Sequence, residues 1–389
     1  MQKNNAKTIV HVSKRADIEV WKKVVIQVAA GVIALLLCGI ISQIVGGNIG
    51  SYFKELFKGC FGSQRRILNL FESMALLLLV SLAVTPAFKM KFWNIGAEGQ
   101  VLMGALFSIF TIRMIGGKVP EVVLILFMLI MSILGGALWA ALPALFKAFF
   151  NTNETLFTLM MNYIAMGLIS YLITIWITSG SGVYGTISNG MMFSNISGKI
   201  GTITKQTLFS YLIIIVVAVM MAAAMFVYLK YHKHGYELTV VGESVETAKY
   251  IGINVKKVII RTMIFSGAIC GLTGFLLVSG ASHTINTSLA GGRGFTAILV
   301  SWLSNFNPLV MLIMAFLVTF IDQGSTNAAV GFNFKDSFAD IMTAVFFFVL
   351  IASTFFVNYK VEIDEEFKNK ISSKFSKKKE NLEIEMEDK

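Results

Sequence analysis

The sequence predicts an all-α fold: a polytopic membrane helical bundle of about ten spans, some broken or re-entrant. Hydrophobic residues make up 56% of the 389 and charged residues 14%, too little charge to cover a soluble surface. Several apolar runs reach the roughly 20 residues that a helix needs to span a bilayer, whereas a membrane barrel would show alternating segments of about ten. Polar, glycine-bearing breaks also interrupt the apolar runs. Backbone that breaks at membrane depth is tolerated only where protein or a water-filled cavity surrounds it. The break Phe92-Trp93-Asn94-Ile95-Gly96-Ala97-Glu98-Gly99-Gln100 therefore points to a permeation path.

The first run, Val24–Val45, follows Lys22 and Lys23 and is too long for a signal-peptide core. It reads as a signal anchor with its N-terminus inside. Gly46–Arg66 reads as an external connection carrying a short surface helix. Leu68–Phe88 is the second span, closed by Pro86, Lys89 and Lys91; the break and Val101–Ile112 follow. Val119–Phe146 ends inside, at Lys147 and Asn151-Thr152-Asn153-Glu154, and Leu156–Thr178 leads outward. Residues 179–206 are rich in Gly, Ser, Thr and Asn and suit an outside loop. Leu208–Leu229 returns to a basic loop over 230–261, the main cytoplasmic marker by charge. Thr262–Ser279, a polar connection over Gly280–Gly294, a short re-entering segment Phe295–Leu303, Leu309–Ile321 and Ile341–Val357 complete the set. The organisation expected is a cytoplasmic segment 1–23, a transmembrane domain 24–358 and a charged cytoplasmic tail 359–389.

The net charge of +11 lies in basic runs that mark topology. Nucleic-acid binding would want basic residues on one folded face with interleaved aromatics, a pattern the sequence lacks. Three cysteines and four histidines show no metal-ligand spacing. No Walker A sequence is present, so no P-loop nucleotide site is expected. Acidic residues are scarce in the spans apart from Glu98, with Glu72 and Asp322 near run ends. That speaks against a proton relay.

Four constellations carry functional candidates. Asn94 and Glu98, four apart, are expected on one helix face. Glu98 either lines the path together with Trp93, Asn94 and Gln100 or caps a helix end and steadies the break. Trp93 either stacks on a planar ligand or makes an interface contact. Glu154, Thr158 and Asn162 form a polar stripe that serves as cavity lining or as interhelical hydrogen-bond glue. Gly235, Tyr236, Glu237, Gly242, Ala248 and Gly252 punctuate a structured loop with a short surface helix around Ser244–Tyr250. In Gly291-Gly292-Arg293-Gly294-Phe295-Thr296, Arg293 is an exterior charge or, with Phe295, a gate. The small residues of Gly136-x3-Ala140-x3-Ala144 and Gly267-x3-Gly271 predict close helix contacts.

In combination the motifs resemble the permease subunits of bacterial ABC importers for nucleosides, within the ribose and branched-chain amino-acid permease superfamily. The resemblance rests on Asn94-Ile95-Gly96-x-Glu98-Gly99-Gln100, on Asn153-Glu154-x3-Thr158-Leu159-Met160-Met161-Asn162-Tyr163-Ile164-Ala165, on Gly235-Tyr236-Glu237-Leu238-x3-Gly242 with Ala248-x3-Gly252, and on Gly292-x-Gly294-Phe295-Thr296-x-Ile298. It implies a transport subunit of the cell membrane, not an enzyme, with both termini cytoplasmic and no cofactor of its own. It further implies a second homologous permease, an extracellular lipid-anchored substrate-binding protein, and a cytoplasmic ABC ATPase that hydrolyses ATP and docks on the 235–252 loop through a coupling helix. A sugar permease of the same build, such as one for ribose, and a stand-alone ion-coupled transporter are the competing expectations. The sequence departs from the family pattern at Trp93, where Phe is usual, and at Trp302-Leu303-Ser304-Asn305.

Overall fold

The computed structural model describes residues 10–14, 20–176, 203–335 and 337–363. Most of the expected 179–206 loop lies outside the described residues, as does the tail beyond 363. The elements are β1 (Val10–Lys14), α1 (Val20–Ile44), α2 (Ile49–Phe61), α3 (Gln64–Lys89), α4 (Ala97–Ile115), α5 (Glu121–Phe150), α6 (Glu154–Trp176), α7 (Ile203–Tyr231), α8 (Lys233–Glu243), α9 (Val245–Tyr250), α10 (Val255–Leu276), α11 (Arg293–Leu303), α12 (Pro308–Gly331), α13 (Ser337–Asn358) and β2 (Tyr359–Ile363). Among the described residues nine helices are long and apolar enough to cross a membrane, and α11 is a shorter apolar helix. The all-α, multi-pass architecture is therefore present; two five-residue strands are its one departure.

The chain divides into two compact units. The first comprises residues 1–50 and 341–389. In it the Cys38 thiol of α1 lies 3.6 Å from the Met342 carbonyl of α13. The strands pair antiparallel, from Val10 opposite Ile363 to Lys14 opposite Tyr359.

The second unit, 51–340, is built around α3, α4, α5 and α10. Every residue of α3 from Met74 to Phe88 is buried, as expected of a helix that is apolar all round. The expected small-residue contacts join α5 to α10. A Cβ on Gly136 would overlap the Gly267 carbonyl, and one on Gly271 would overlap the Ser132 carbonyl. The Ser132 hydroxyl sits 2.8 Å from the Gly104 carbonyl of α4 and 2.6 Å from the Gly271 carbonyl of α10. A polar side chain thus joins three helices where backbones approach closely.

The short helix expected within 46–66 is α2, which buries Tyr52, Leu56, Gly59 and Cys60 on one face and exposes Lys54, Phe57, Lys58 and Phe61 on the other. One expectation needs correction here: α12 does not stop at Ile321 but runs ten residues further, through Asp322-Gln323-Gly324-Ser325-Thr326-Asn327. These polar residues stay helical because α2 satisfies several of them. Ser325 Oγ lies 3.0 Å from the Tyr52 hydroxyl, and Asn327 Nδ2 donates to the Glu55 carbonyl at 2.9 Å. Glu72 and Asp322, read as run-end residues, accordingly lie inside α3 and α12.

Candidate functional site

The break between α3 and α4 occupies residues 90–96. It begins where the chain turns back on α3: Lys91 has φ 59°, and Phe92 N–H donates to the Ala87 carbonyl at 2.9 Å. Helix resumes only at Ala97, so Asn94 and Glu98 do not share a helix face as expected. Asn94 lies in irregular backbone, and its side chain forms part of that backbone's support. Its Oδ1 accepts from Gly96 N–H at 3.0 Å and from Gln100 Nε2 at 3.1 Å, while its Nδ2 lies 3.4 Å from Ser266 Oγ on α10.

The stripe on α6 completes that support. Thr158 Oγ1 accepts from Ile95 N–H at 3.2 Å, Asn162 Oδ1 accepts from Gly99 N–H at 2.8 Å, and Asn162 Nδ2 donates to the Ile95 carbonyl at 2.9 Å. Asn94, Gln100, Thr158 and Asn162 are all buried. Glu154 sits apart from them, paired with Lys147 at 2.9 Å. Irregular buried backbone must find partners for its N–H and C=O groups; here Asn94, Thr158 and Asn162 supply them, and Gln100 holds the Asn94 side chain.

Glu98 is only 3% exposed and binds a distant segment. Its carboxylate oxygens accept from Gly292 N–H at 2.8 Å and Gly294 N–H at 2.7 Å. These belong to the first turn of α11, whose N-cap Gly292 has no side chain to offer. The first N–H groups of a helix are orphaned and carry positive partial charge, so the carboxylate caps α11 from α4. Gly294 permits the approach, since a Cβ there would overlap the Glu98 backbone. The 283–292 segment, which follows the π-helical turn Leu277–Ser282, is thereby pinned to the break.

Arg293 is half-buried. Its Nη1 donates to the Ala290 carbonyl at 3.2 Å, and it lies within electrostatic reach of Asp322, Glu98 and Glu72. Phe295 and Trp93 are each 43% exposed. The Trp93 ring stands 5.4 Å from Trp302 and 5.7 Å from Phe88. Glu72, Ser266, Trp302 and Asp322 were not singled out as site residues. For Ser266, adjacency to the small residues of Gly267-x3-Gly271 was the available signal.

The 230–254 loop folds into α8 and α9. Ser244 caps α9, accepting from Thr247 N–H at 3.2 Å, as the expected short helix requires. Gly252, at φ 83°, makes the turn into α10. Leu238, Val241 and Ala248 bury against Ala87, Met90 and Phe92 in one apolar cluster. Gly242 lies so close to α3 that a Cβ would overlap the Lys89 carbonyl. Glu237 is held by Arg261 of α10 at 2.8 Å and faces His234 at 3.4 Å. The Arg261 hydrogen bond keeps its carboxyl below the usual value, against an opposing effect of burial. Tyr236 and Tyr250 project outward, 63% and 93% exposed. A cavity of about 310 Å³ opens beside this contact, with Lys91, Lys147, Glu154 and Glu243 in its lining. Among the described residues no three His, Cys, Asp or Glu side chains converge as a metal site.

Comparison with known proteins finds relatives of the chain among ABC transporter permeases. The guanosine ABC transporter permease protein of Bacillus subtilis is 26% identical over 338 residues, 86% of this chain and 93% of that one. The nucleoside ABC transporter permease protein B of Lactococcus lactis is 27% identical over 310 residues, 78% and 84% of the two chains. The glucose ABC transporter permease protein of Haloferax volcanii is 28% identical over 291 residues, 74% and 76%. Residues 66–354 match the family described as branched-chain amino acid transport system / permease component; the chain is a multi-pass membrane protein that belongs to this permease family.

Proposed function

We propose that this chain is the membrane-embedded permease subunit of an ATP-driven importer for nucleosides. The observation that carries the reading is the keying of α8 and α9 onto the α3–α4 break, through Gly242 on Lys89 and the apolar cluster around Met90 and Phe92. A force applied to that loop reaches the irregular segment between the spans directly. The exposed Tyr236 and Tyr250, beside half-exposed Val245 and Ile251, offer a separate protein an apolar foothold on an otherwise charged loop. The occupant we assign is a cytoplasmic ABC ATPase, with α9 as its coupling helix. ATP is bound and hydrolysed there, and this chain carries no cofactor.

A second homologous permease completes the path, and an extracellular lipid-anchored protein delivers the solute. Trp93, Asn94, Glu98, Gln100, Thr158 and Asn162 form or support the path's wall, with Arg293 and Phe295 at its gate. The setting is the cell membrane, with residues 24–358 as the permease domain. The antiparallel pairing of β1 with β2 supports one side for both termini, and the basic charge of the 230–261 loop and the tail makes that side the cytoplasm.

Two of the relatives are named for guanosine or nucleoside transport. The glucose relative favours a second reading, a sugar permease of the same build. Uptake of labelled guanosine, glucose and ribose by cells expressing the complete importer separates the two. Guanosine uptake that stops when the ATPase cannot hydrolyse ATP is the expected result. Sugar uptake without guanosine uptake would replace the nucleoside reading.

A further inference from the structure

The cavity of about 310 Å³ beside the seat of α8 on α3 is built from five stretches of chain: the break at 90–92, the end of α5, the start of α6, the α8–α9 loop and the start of α10. Its volume lies at the lower end of the roughly 300–1,000 Å³ of pockets that hold small molecules. Six apolar side chains and four charged ones line it, and such pockets share this make-up: a mostly apolar wall with a few polar groups that fix orientation.

The charged groups narrow the class of ligand. Lys147 and Glu154 satisfy each other at 2.9 Å. Lys91 and Glu243 are exposed and take part in no ion pair among the described residues. Lys91 is held at φ 59°, a conformation that a residue other than glycine keeps only where its surroundings impose it. Phe92 behind it is tied to the Ala87 carbonyl at 2.9 Å. The lining thus carries two ammonium groups and two carboxylates. An anion gains from one pair and is repelled by the other, and a cation meets the reverse. An uncharged molecule with donors and acceptors on its edge uses both: Lys91 donates to it and Glu243 accepts from it, while its flat body rests on the apolar wall. A purine nucleoside is such a molecule.

We infer that this cavity is a feedback site, which takes the imported nucleoside from the cytoplasm and slows further import. The inference rests on the nucleoside reading and adds regulation to it. Its physical basis is the origin of the walls, which belong both to the α8–α9 loop and to the break. A ligand lodged between them favours the state in which loop and break keep this arrangement, and the importer must leave that state to turn over.

The test uses the complete importer in proteoliposomes with the ATPase side facing the lumen. ATP and unlabelled guanosine are enclosed, and binding protein with labelled guanosine is supplied outside. The initial uptake rate of the wild type should fall about fivefold or more as lumenal guanosine rises, a coupling of ordinary size. Lumenal guanosine monophosphate, an anion, and glycine, a zwitterion, should leave the rate unchanged. Glu243→Ala and Lys91→Gly each remove one charged group, and glycine accepts the backbone conformation at position 91. In either variant the lumenal guanosine concentration that halves the rate should rise about tenfold, since a hydrogen bond to a charged group is lost. Each variant is scaled to its own rate without lumenal guanosine, so a lower yield of assembled importer does not disturb the comparison. No inhibition of the wild type, inhibition unchanged in both variants, or equal inhibition by the monophosphate or glycine would overturn the site and leave the nucleoside reading standing. A wild-type importer that takes up no guanosine removes both.

Discussion

Glu98 shows how one side chain can tie a broken membrane helix together. Its two oxygens receive N–H groups from Gly292 and Gly294, and no neutral residue reproduces both contacts. A glutamine has one acceptor oxygen and presents its amide N–H groups to a backbone donor. Glu98→Gln should weaken the α4–α11 tie by about 1.5–3 kcal/mol. Substrate uptake should drop more than tenfold while membrane abundance of the chain stays near wild type; parallel loss of both would make Glu98 a purely structural cap. Glu237 gives a second test at this scale. The Arg261 bond holds its carboxyl below the usual 4.5, so the bridge's contribution is complete above about that pH and is lost as pH falls through the depressed folded value. Hydrogen exchange in residues 233–243 should therefore be insensitive to this group near neutrality, once corrected for intrinsic rates, and accelerate on acidification. Glu237→Gln should show the faster exchange at pH 7 already.

At the scale of elements, the break and the loop were legible for different reasons. Glycines and amides between apolar runs announced the break, because such residues conflict with a lipid-facing helix. Their arrangement was not legible. A spacing of four put Asn94 and Glu98 on one face, but the helix that would do so starts only at Ala97, and Asn94 instead bonds Gly96 and Gln100. The end of α12 was missed for a complementary reason. Its polar stretch after Ile321 looks like a helix end until Tyr52 and Glu55 of α2 are present to satisfy it. The partner of Glu98 lies 194 and 196 residues away, a distance over which local pattern carries no information. The loop helix around Ser244–Tyr250 was visible because capping serine and turn glycine are local signals; its seat on Lys89 was not. Gly242→Ala places a methyl against the Lys89 carbonyl and should push α8 away from α3, an overpacking worth about 1–3 kcal/mol. On the proposed reading the variant still inserts and assembles, but ATP hydrolysis by the complex loses its stimulation by substrate-loaded binding protein. Retained stimulation would remove Gly242 from the transmission route.

For the whole molecule, the composition fixes a membrane bundle, and match to a permease family covers residues 66–354. A ligand-binding role for the chain alone is less well marked. Its buried polar side chains along the break mostly serve neighbouring backbone, and its exposed aromatic residues are spread over the spans as well as the α8–α9 loop. Such a chain switches between states only when something else binds those states unequally. The carboxylates Glu72 and Asp322 sit at membrane depth, where a stand-alone ion-coupled carrier would also need titratable groups, so the two mechanisms must be separated by experiment. The decisive measurement is guanosine accumulation in proteoliposomes holding either this chain alone or the complete importer, under an imposed proton or sodium gradient and, separately, with ATP supplied to the ATPase side. Accumulation against a concentration gradient should occur only in the complete importer and only with hydrolysable ATP. Uphill accumulation by this chain alone, driven by either ion gradient, would contradict a permease powered by a separate ATPase.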